Sequence, residues 1–125
     1  MDFKEQRIGN ALLLKPSGRI DHASADAFKS ALLPYLEQCK GGGDVVVLDF
    51  SAIEYISSIG FQVLLVAQRK AKKQLGALAI ASLQPAVQST FEMANFAGAI
   101  RCFASVRDAL AEMSWSALNA YTQKE

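Results

Sequence analysis

The chain has 125 residues, of which 51% are apolar and 20% are charged, and this composition predicts one globular domain with a hydrophobic core. Thirteen basic and twelve acidic residues leave a net charge of +1, which gives no long-range field to attract nucleic acid or an anionic membrane. No apolar run reaches the roughly 18 residues of a membrane span, and residues 1–7 lack the apolar stretch of a signal peptide. We therefore expect a cytoplasmic protein.

The hydrophobic pattern alternates between stretches typical of strands and stretches typical of helices. In chain order it predicts strands at residues 3–8 and 11–15, a helix through 28–39, a strand at 45–48, a helix at 58–74, a strand at 77–81, a helix at 85–94, a strand at 100–103 and a helix from 106 to 121. Gly9 and Asn10 suit a two-residue hairpin turn between the first two strands. Pro34 predicts a kink or an early end in the first helix, which the three glycines at 41–43 close.

Three of these elements are expected to bury much of the apolar surface. Residues 45–48 form a continuous apolar and largely β-branched run, which is typical of a strand covered on both faces and flanked by parallel neighbours. The residues expected to face inward from the second and third helices are Ile59, Val63, Val66, Ala67, Val87, Phe91 and Ala94. The order β-β-α-β-α-β-α-β-α favours a single α/β domain.

The C-terminal pattern predicts one long helix. Ser105 and Asp108 fit a capping box at its start, with Asp in place of the usual Glu. Helical spacing of apolar residues then continues as far as Tyr121, with Trp115 on a different face.

The junction between the buried strand and the longest predicted helix is the most informative place for function, because ligands and partners often bind where strands lead into helices. Two serines, Ser57 and Ser58, stand at the start of that helix. One interpretation is that either serine is a helix cap that accepts a hydrogen bond from a backbone N–H. The other is a phosphate acceptor, because the positive end of a helix stabilises an anion. On an apolar docking surface of Ile56, Ile59 and Phe61, a phosphate would be tolerated by the fold and rejected by a partner.

Enzymatic chemistry is not predicted. A nucleophile elbow needs one glycine two residues before the serine and another two residues after it. For Ser58, Gly60 occupies the second of these positions, but the first is occupied by Ile56. His22 is the single histidine and follows Asp21 in a predicted loop, so we interpret it as a loop residue and not as a general base. Two distant cysteines and one histidine favour neither a disulfide framework nor a zinc site, and no metal or cofactor is expected.

Three segments together resemble the signature of STAS domains, and within that family they look most like the bacterial anti-sigma factor antagonists. The segments are residues 45–51, 55–61 and 63–65, and supporting matches are residues 18–21, Gly76 and residues 82–87. The resemblance spans residues 3–113, so we expect a STAS domain at residues 1–113 and an extension at residues 114–125 that continues the last helix. The resemblance implies a mixed sheet of four or five strands with helices mainly on one face.

The resemblance also implies partner switching, without enzymatic activity and without a cofactor. In such a switch the unphosphorylated protein binds an anti-sigma factor that is a serine/threonine kinase, and phosphorylation by that kinase breaks the complex. A PP2C-type phosphatase then restores the unphosphorylated form. An alternative within the family is a non-enzymatic subunit that binds the ATPase of a lipid transporter.

Matched residue by residue, the phosphate acceptor of the family falls on Ser58. The aspartate that usually precedes the acceptor is replaced here by Ser57, so Ser57 is the alternative site of modification. The expected partner-binding residues are Asp21, Ser57, Ser58, Ile59, Gly60 and Phe61.

Overall fold

A computed structural model describes residues 3–93 and 98–123 of the chain. Within these residues the strands are Phe3–Ile8 (β1), Ala11–Pro16 (β2), Gly18–Ile20 (β3), Val45–Asp49 (β4), Ile53–Ile56 (β5), Ala77–Ala81 (β6) and Arg101–Phe103 (β7). The α-helices are Ala25–Leu32 (α1), Ser58–Lys73 (α2), Pro85–Met93 (α3), Val106–Met113 (α4) and Trp115–Gln123 (α5), and a 3-10 helix, Leu33–Leu36, follows α1. Not one of these helices has the length and apolar character needed to cross a membrane.

Five strands form one mixed sheet in the order β1-β2-β4-β6-β7. β1 runs antiparallel to β2, and the two-residue turn between them pairs Ile8 with Ala11, as the Gly9 and Asn10 pattern predicts. β2, β4, β6 and β7 are parallel neighbours joined by helical crossovers. The predicted fold class, a single α/β domain built on a mixed sheet, is therefore confirmed.

Helices are expected mainly on one face of this sheet, but α1, α2 and α3 cover one face and α4 and α5 cover the other, so that the helices enclose two hydrophobic cores. Alternate residues of a strand point to opposite faces of the sheet. Leu48 of β4 therefore lies in the larger core, under α1, α2 and α3, whereas its neighbour Val47 lies in the smaller core, under α4 and α5. Residues 46–48 are buried on both faces for this reason, which explains their continuous apolar run.

The first and third helices follow the sequence pattern. α1 ends at Leu32 and the chain continues as the 3-10 helix that contains Pro34, which confirms the predicted early end. Val87 and Phe91 of α3 lie in the larger core, as expected. Ala94, expected on the same buried face, lies outside the described residues.

The buried face of α2 differs in part from the predicted one. Val63 and Ala67 are buried as expected. However, Phe61 and Leu64 are also fully enclosed, so the centre of the buried face is shifted around the helix. Val66 is only half-buried, and its predicted core position is wrong.

A second, two-stranded sheet has no counterpart in the predicted elements. β3 and β5 pair in parallel, with Arg19 opposite Tyr55 and Ile20 opposite Ile56. The sequence pattern predicts no element between residues 48 and 58, whereas the structure forms a strand at Ile53–Ile56. The two strands are three and four residues long, which is too short for a period-two pattern to be recognised.

The C-terminal residues form two helices instead of the single predicted one. α4 ends at Met113, Ser114 is extended with φ −160° and ψ 106°, and α5 begins at Trp115. The Ser114 hydroxyl donates a hydrogen bond to the side-chain oxygen of Asn10 in the hairpin turn, and it accepts one from the Ala117 N–H at 3.2 Å. Ser114 thus ends one helix, caps the next and ties α5 to the sheet, so the predicted continuous helix is wrong.

Candidate functional site

The start of α2 lies beside the end of β3, at the carboxyl ends of the small β3–β5 sheet. The backbone N–H of Ser57 donates to the carbonyl of Ile20 at 2.8 Å, which continues the pairing of the two strands. Asp21 directly follows Ile20, so it lies next to the two serines although it is distant from them in sequence. The structure therefore brings together Asp21, Ser57 and Ser58, the three polar residues of the predicted site.

Ser57 is the cap of α2. Its backbone is extended, with φ −89° and ψ 173°, and its hydroxyl oxygen accepts a hydrogen bond from the Gly60 N–H at 3.4 Å. Such bonds are most often about 3 Å long, so this cap is a weak one. The residue is half-buried, between the end of β5 and the first turn of the helix.

Ser58 is the first residue of α2 and is exposed to solvent. Among the residues that the structure describes, none makes a hydrogen bond with its hydroxyl. The N–H groups of the first turn and the helix dipole give this end of α2 a positive potential. The two serines thus differ, because the Ser57 hydroxyl is used by the helix and the Ser58 hydroxyl is accessible to a reagent.

Hydrogen bonds within the turn at residues 21–24 favour the ionised form of the Asp21 side chain. Its Oδ1 accepts hydrogen bonds from the backbone N–H of Ala23 at 3.0 Å and of Ser24 at 3.2 Å, and from the Ser24 hydroxyl at 3.2 Å. Desolvation acts to raise the pKa of Asp21, but these hydrogen bonds and the charge of Arg19 lower it overall. A fixed negative charge therefore lies next to the start of α2.

Arg19 and Tyr55, which the sequence pattern does not single out as functional, complete this surface. The Arg19 guanidinium lies over the Tyr55 ring, 4.4 Å from the ring centroid, and the Arg19 Nε is 3.9 Å from the Asp21 carboxylate. Tyr55 is 42% exposed, although it is a large aromatic residue. Only the pairing of β3 with β5 brings Arg19 and Tyr55 together, and because neither strand is predicted, the sequence contains no local signal for the contact.

Three hydrophobic or small residues expected on the docking surface lie in the core instead. Phe61 is 2% exposed and packs edge-on against Phe91, with ring centroids 4.6 Å apart. Gly60 is buried, and a Cβ at this position would come within 2.6 Å of Ile56 and 2.8 Å of Ile20. The expected surface positions of Ile56, Gly60 and Phe61 are therefore wrong. These residues hold the start of α2 against β3 and β5.

The surface that remains around the start of α2 is small and mixed in character. It consists of Arg19, Asp21, Tyr55, Ser57, Ser58 and Ile59, and we call it the α2-start surface. Ile59 is half-buried and also packs against the larger core. The surface thus offers one cation, one anion, an aromatic ring, two hydroxyls and part of an aliphatic side chain.

The described residues contain no assembled catalytic triad. His22 is exposed in the turn before α1, and no hydrogen bond joins it to Ser57 or Ser58. Cys39 and Cys102 are free thiols, and burial raises the pKa of both, which suppresses thiolate chemistry at neutral pH. No cluster of three side chains suited to hold a metal ion occurs in residues 3–93 and 98–123.

Comparison with known proteins identifies relatives of the chain. A protein named as an anti-sigma factor antagonist, BtrV of Bordetella bronchiseptica, is 29% identical over 96 residues, which are 77% of this chain and 80% of that protein. The crystal structure of an anti-sigma factor antagonist from Mycobacterium paratuberculosis superposes with a TM-score of 0.78 at 20% identity, over 90% of this chain and 92% of that chain.

The same fold also occurs inside much larger proteins. The murine Solute Carrier 26 family member A9 anion transporter matches with a TM-score of 0.74 at 13% identity, over 86% of this chain and 18% of the transporter chain. At such identities, a structural likeness establishes the fold and leaves the function open. The sequence model of the STAS domain matches residues 3–109. The chain therefore belongs to the STAS domain family.

Proposed function

We propose that the chain is a non-enzymatic anti-sigma factor antagonist that acts as a phosphorylation switch in the cytoplasm. Without phosphate it binds an anti-sigma factor that is a serine/threonine kinase, and the kinase releases it by phosphorylating Ser58. A PP2C-type phosphatase returns it to the binding form. The observation that carries the proposal is the exposed Ser58 hydroxyl, without a hydrogen-bond partner in the described residues, at the positive end of α2.

The difference between the two serines supports Ser58 as the acceptor. A kinase must reach the hydroxyl oxygen and align it with the γ-phosphate of ATP, and Ser58 is exposed. Modification of Ser57 would instead remove the hydroxyl that caps α2, at a cost of about 0.5–2 kcal/mol in helix stability. Ser57 is also half-buried, so a phosphate there would meet the end of β5.

Charge explains how one phosphate can be compatible with the fold and incompatible with the partner. A phosphate adds about −1.5 to −2 charges at neutral pH, and the N-terminus of α2 stabilises an anion. In the free protein the phosphate on Ser58 stays in water. In a complex it would be desolvated next to the Asp21 carboxylate, which is itself held in the ionised form, so the complex would lose affinity.

The remainder of the α2-start surface supports docking to a protein. Arg19 and Tyr55 form an exposed cation–π pair, and arginine and tyrosine are residue types that dominate protein interfaces energetically. BtrV, the relative with 29% identity, is named as an anti-sigma factor antagonist, which agrees with a partner of this class.

The proposal is tested by incubating the full chain with ATP and the serine kinase encoded nearest to it, followed by intact and peptide mass spectrometry. We expect one phosphate on Ser58 in the wild type and in Ser57→Ala, no phosphate in Ser58→Ala, and removal of the phosphate by a PP2C-type phosphatase. Ser51→Ala, which removes another exposed serine hydroxyl nearby, is the matched control and should behave as the wild type.

Two outcomes would contradict the proposal. A phosphate that persists in Ser58→Ala and disappears in Ser57→Ala would assign the acceptor to Ser57. An unmodified protein that binds a transporter ATPase instead, and binds it equally well as Ser58→Ala, would exclude the switch in favour of a transporter subunit.

A further inference from the structure

Two neighbouring cavities at the carboxyl edge of the main sheet share the same pair of lysines. Their volumes are about 300 and 310 Å³, and Lys4 of β1 and Lys15 of β2 line both. The second cavity is also lined by Leu13, Asp49, Val106 and Tyr121, and by Glu5 and Gln6 of β1. We call Lys4, Leu13, Lys15, Asp49, Val106 and Tyr121 the edge groove. The carboxyl ends of parallel strands are the usual place for ligand binding in open α/β sheets.

The strand register sets the order of charges in the edge groove. Lys4 lies directly opposite Lys15 in the antiparallel β1–β2 pair. β2 and β4 are parallel and pair Leu14 with Leu48, so the next residues along, Lys15 and Asp49, are lateral neighbours. These side chains share the face of Leu13, which is the face covered by α4 and α5.

The two lysines have no carboxylate partner in the described residues. The ion pairs found there join Arg7 to Asp44, Arg19 to Asp21, Lys70 to Glu37 and Arg101 to Glu112. Asp49 uses its Oδ1 to accept the Ser51 N–H at 2.9 Å. Like charges directly opposite each other destabilise a strand pair. An anion between Lys4 and Lys15 would remove this repulsion and make charge-assisted hydrogen bonds with both ammonium groups.

The wall of the edge groove is apolar. Leu13 is 9% exposed and Val106 is 7% exposed, so both contribute to the smaller core and to the cavity. Tyr121 of α5 closes the opposite side, and it lies beyond residue 109, where the match to the STAS domain ends. A simple inorganic ion would make no apolar contact with this wall, whereas the apolar part of an organic anion would pack against it.

We propose that the edge groove binds a small organic anion. Its phosphate or carboxylate group binds between Lys4 and Lys15, and its apolar part packs against Leu13, Val106 and Tyr121. Asp49, next to Lys15, opposes the anion and limits its affinity. The site is separate from the α2-start surface, and nothing in the proposal depends on phosphorylation of Ser58.

The test is titration of phenyl phosphate into the ¹⁵N-labelled full chain at low salt, followed by NMR. Amide shifts are expected in β2, at the end of β4 and in α5. Lys15→Gln should weaken binding about tenfold, because a hydrogen bond to a charged group is lost. Asp49→Asn should strengthen binding, because a neighbouring negative charge is removed. Lys40→Gln makes the same charge change at the amino ends of the parallel strands and should leave binding unchanged.

The control variant and a second probe show whether phenyl phosphate binds in the edge groove or is attracted unspecifically by positive charge. Equal weakening by Lys15→Gln and Lys40→Gln, or shifts outside the groove only, would overturn the proposal. Inorganic phosphate should bind more weakly than phenyl phosphate, and equal affinity would exclude the apolar contact. Absence of any shift at millimolar phenyl phosphate would exclude the site. The ¹⁵N spectrum of each variant reports at once whether the variant is folded.

Discussion

At the carboxyl end of α2 the Gln74 amide donates hydrogen bonds to the carbonyls of Leu36 and Cys39 at 2.9 and 2.8 Å, whereas at the amino end the Ser57 hydroxyl accepts one bond of 3.4 Å. Gly76, just beyond the carboxyl end, packs closely against the backbone at Cys39. One end of the helix is therefore fixed to its neighbours by short bonds and close packing, and the other presents a serine to solvent.

This difference is what a switch at the helix start requires. A phosphate can be added at Ser58 without disturbing the core, because the residues that hold α2 in place lie further along it. Phe61 and Gly60 supply that support within the first turn, through packing and not through exposed contacts. Substitutions at the carboxyl end should therefore affect stability, while a substitution of the exposed Ser58 at the amino end should affect binding.

The largest expected effect is that of Gly76→Ala. A Cβ at Gly76 would overlap the carbonyl of Cys39 and lie 2.7 Å from the backbone nitrogen of Lys40. Because backbone atoms cannot move aside as a flexible side chain can, we expect a loss of about 3 kcal/mol or more in the free energy of unfolding. Urea denaturation measures it, and Gly41→Ala, whose Cβ would lie 3.4 Å from Leu75, is the control. Equal stability of the two variants would contradict the close packing.

A smaller effect is expected when the caps at the two ends of α2 are removed in turn. Gln74→Ala leaves two carbonyls without their side-chain donor and should cost about 1–3 kcal/mol. Ser57→Ala removes one long bond and should cost no more than about 1 kcal/mol. Gln62→Ala, at an exposed position on α2, should have little effect. If Ser57→Ala proved more destabilising than Gln74→Ala in urea denaturation, the amino end of α2 would be the more firmly held one, which would contradict the comparison.

The smallest effect concerns an ion pair between β1 and the residue that precedes β4. Arg7 donates two hydrogen bonds to the Asp44 carboxylate, at 2.8 and 3.0 Å, and these bonds lower the pKa of Asp44. Because the pKa is lower in the folded than in the unfolded state, the pair stabilises the fold at neutral pH. The contribution, up to about 1 kcal/mol, is lost as the pH falls below about 4.

Asp44→Asn should therefore reduce the free energy of unfolding at pH 7 and have less effect at pH 3. Glu54→Gln, at an exposed position outside the ion pairs of the described residues, is the control. Urea midpoints of both variants and the wild type, measured between pH 3 and pH 7, show whether the destabilisation by Asp44→Asn decreases as the pH falls. A destabilisation by Asp44→Asn that is as large at pH 3 as at pH 7 would contradict a contribution from the charged pair.

The main sheet could be predicted from the sequence, because its central strands are buried on both faces and appear as apolar runs such as residues 46–48. The small β3–β5 sheet could not, because its strands contain three and four residues and are defined by pairing between distant segments. The break between α4 and α5 at Ser114 could not be predicted either, because the helical spacing of apolar residues continues across it. Ser114 is held by a hydrogen bond to Asn10, a residue distant in sequence.

The candidate site was predictable in its polar residues and not in its hydrophobic ones. Asp21 and Ser58 lie at ends of elements, where local sequence indicates a turn or a helix start. Whether Phe61 faces the core or a partner depends on the direction of α2 relative to Phe91, which helical spacing alone leaves undetermined. The cation–π pair of Arg19 and Tyr55 depends on the same unpredicted strand pairing.

The most direct test of the central claim is calorimetric titration of the anti-sigma factor kinase with the unphosphorylated and the Ser58-phosphorylated protein. We expect the phosphate to weaken binding at least about tenfold, and Ser58→Ala to bind as tightly as the unphosphorylated wild type. Equal affinities of the phosphorylated and unphosphorylated forms would contradict a switch at the start of α2.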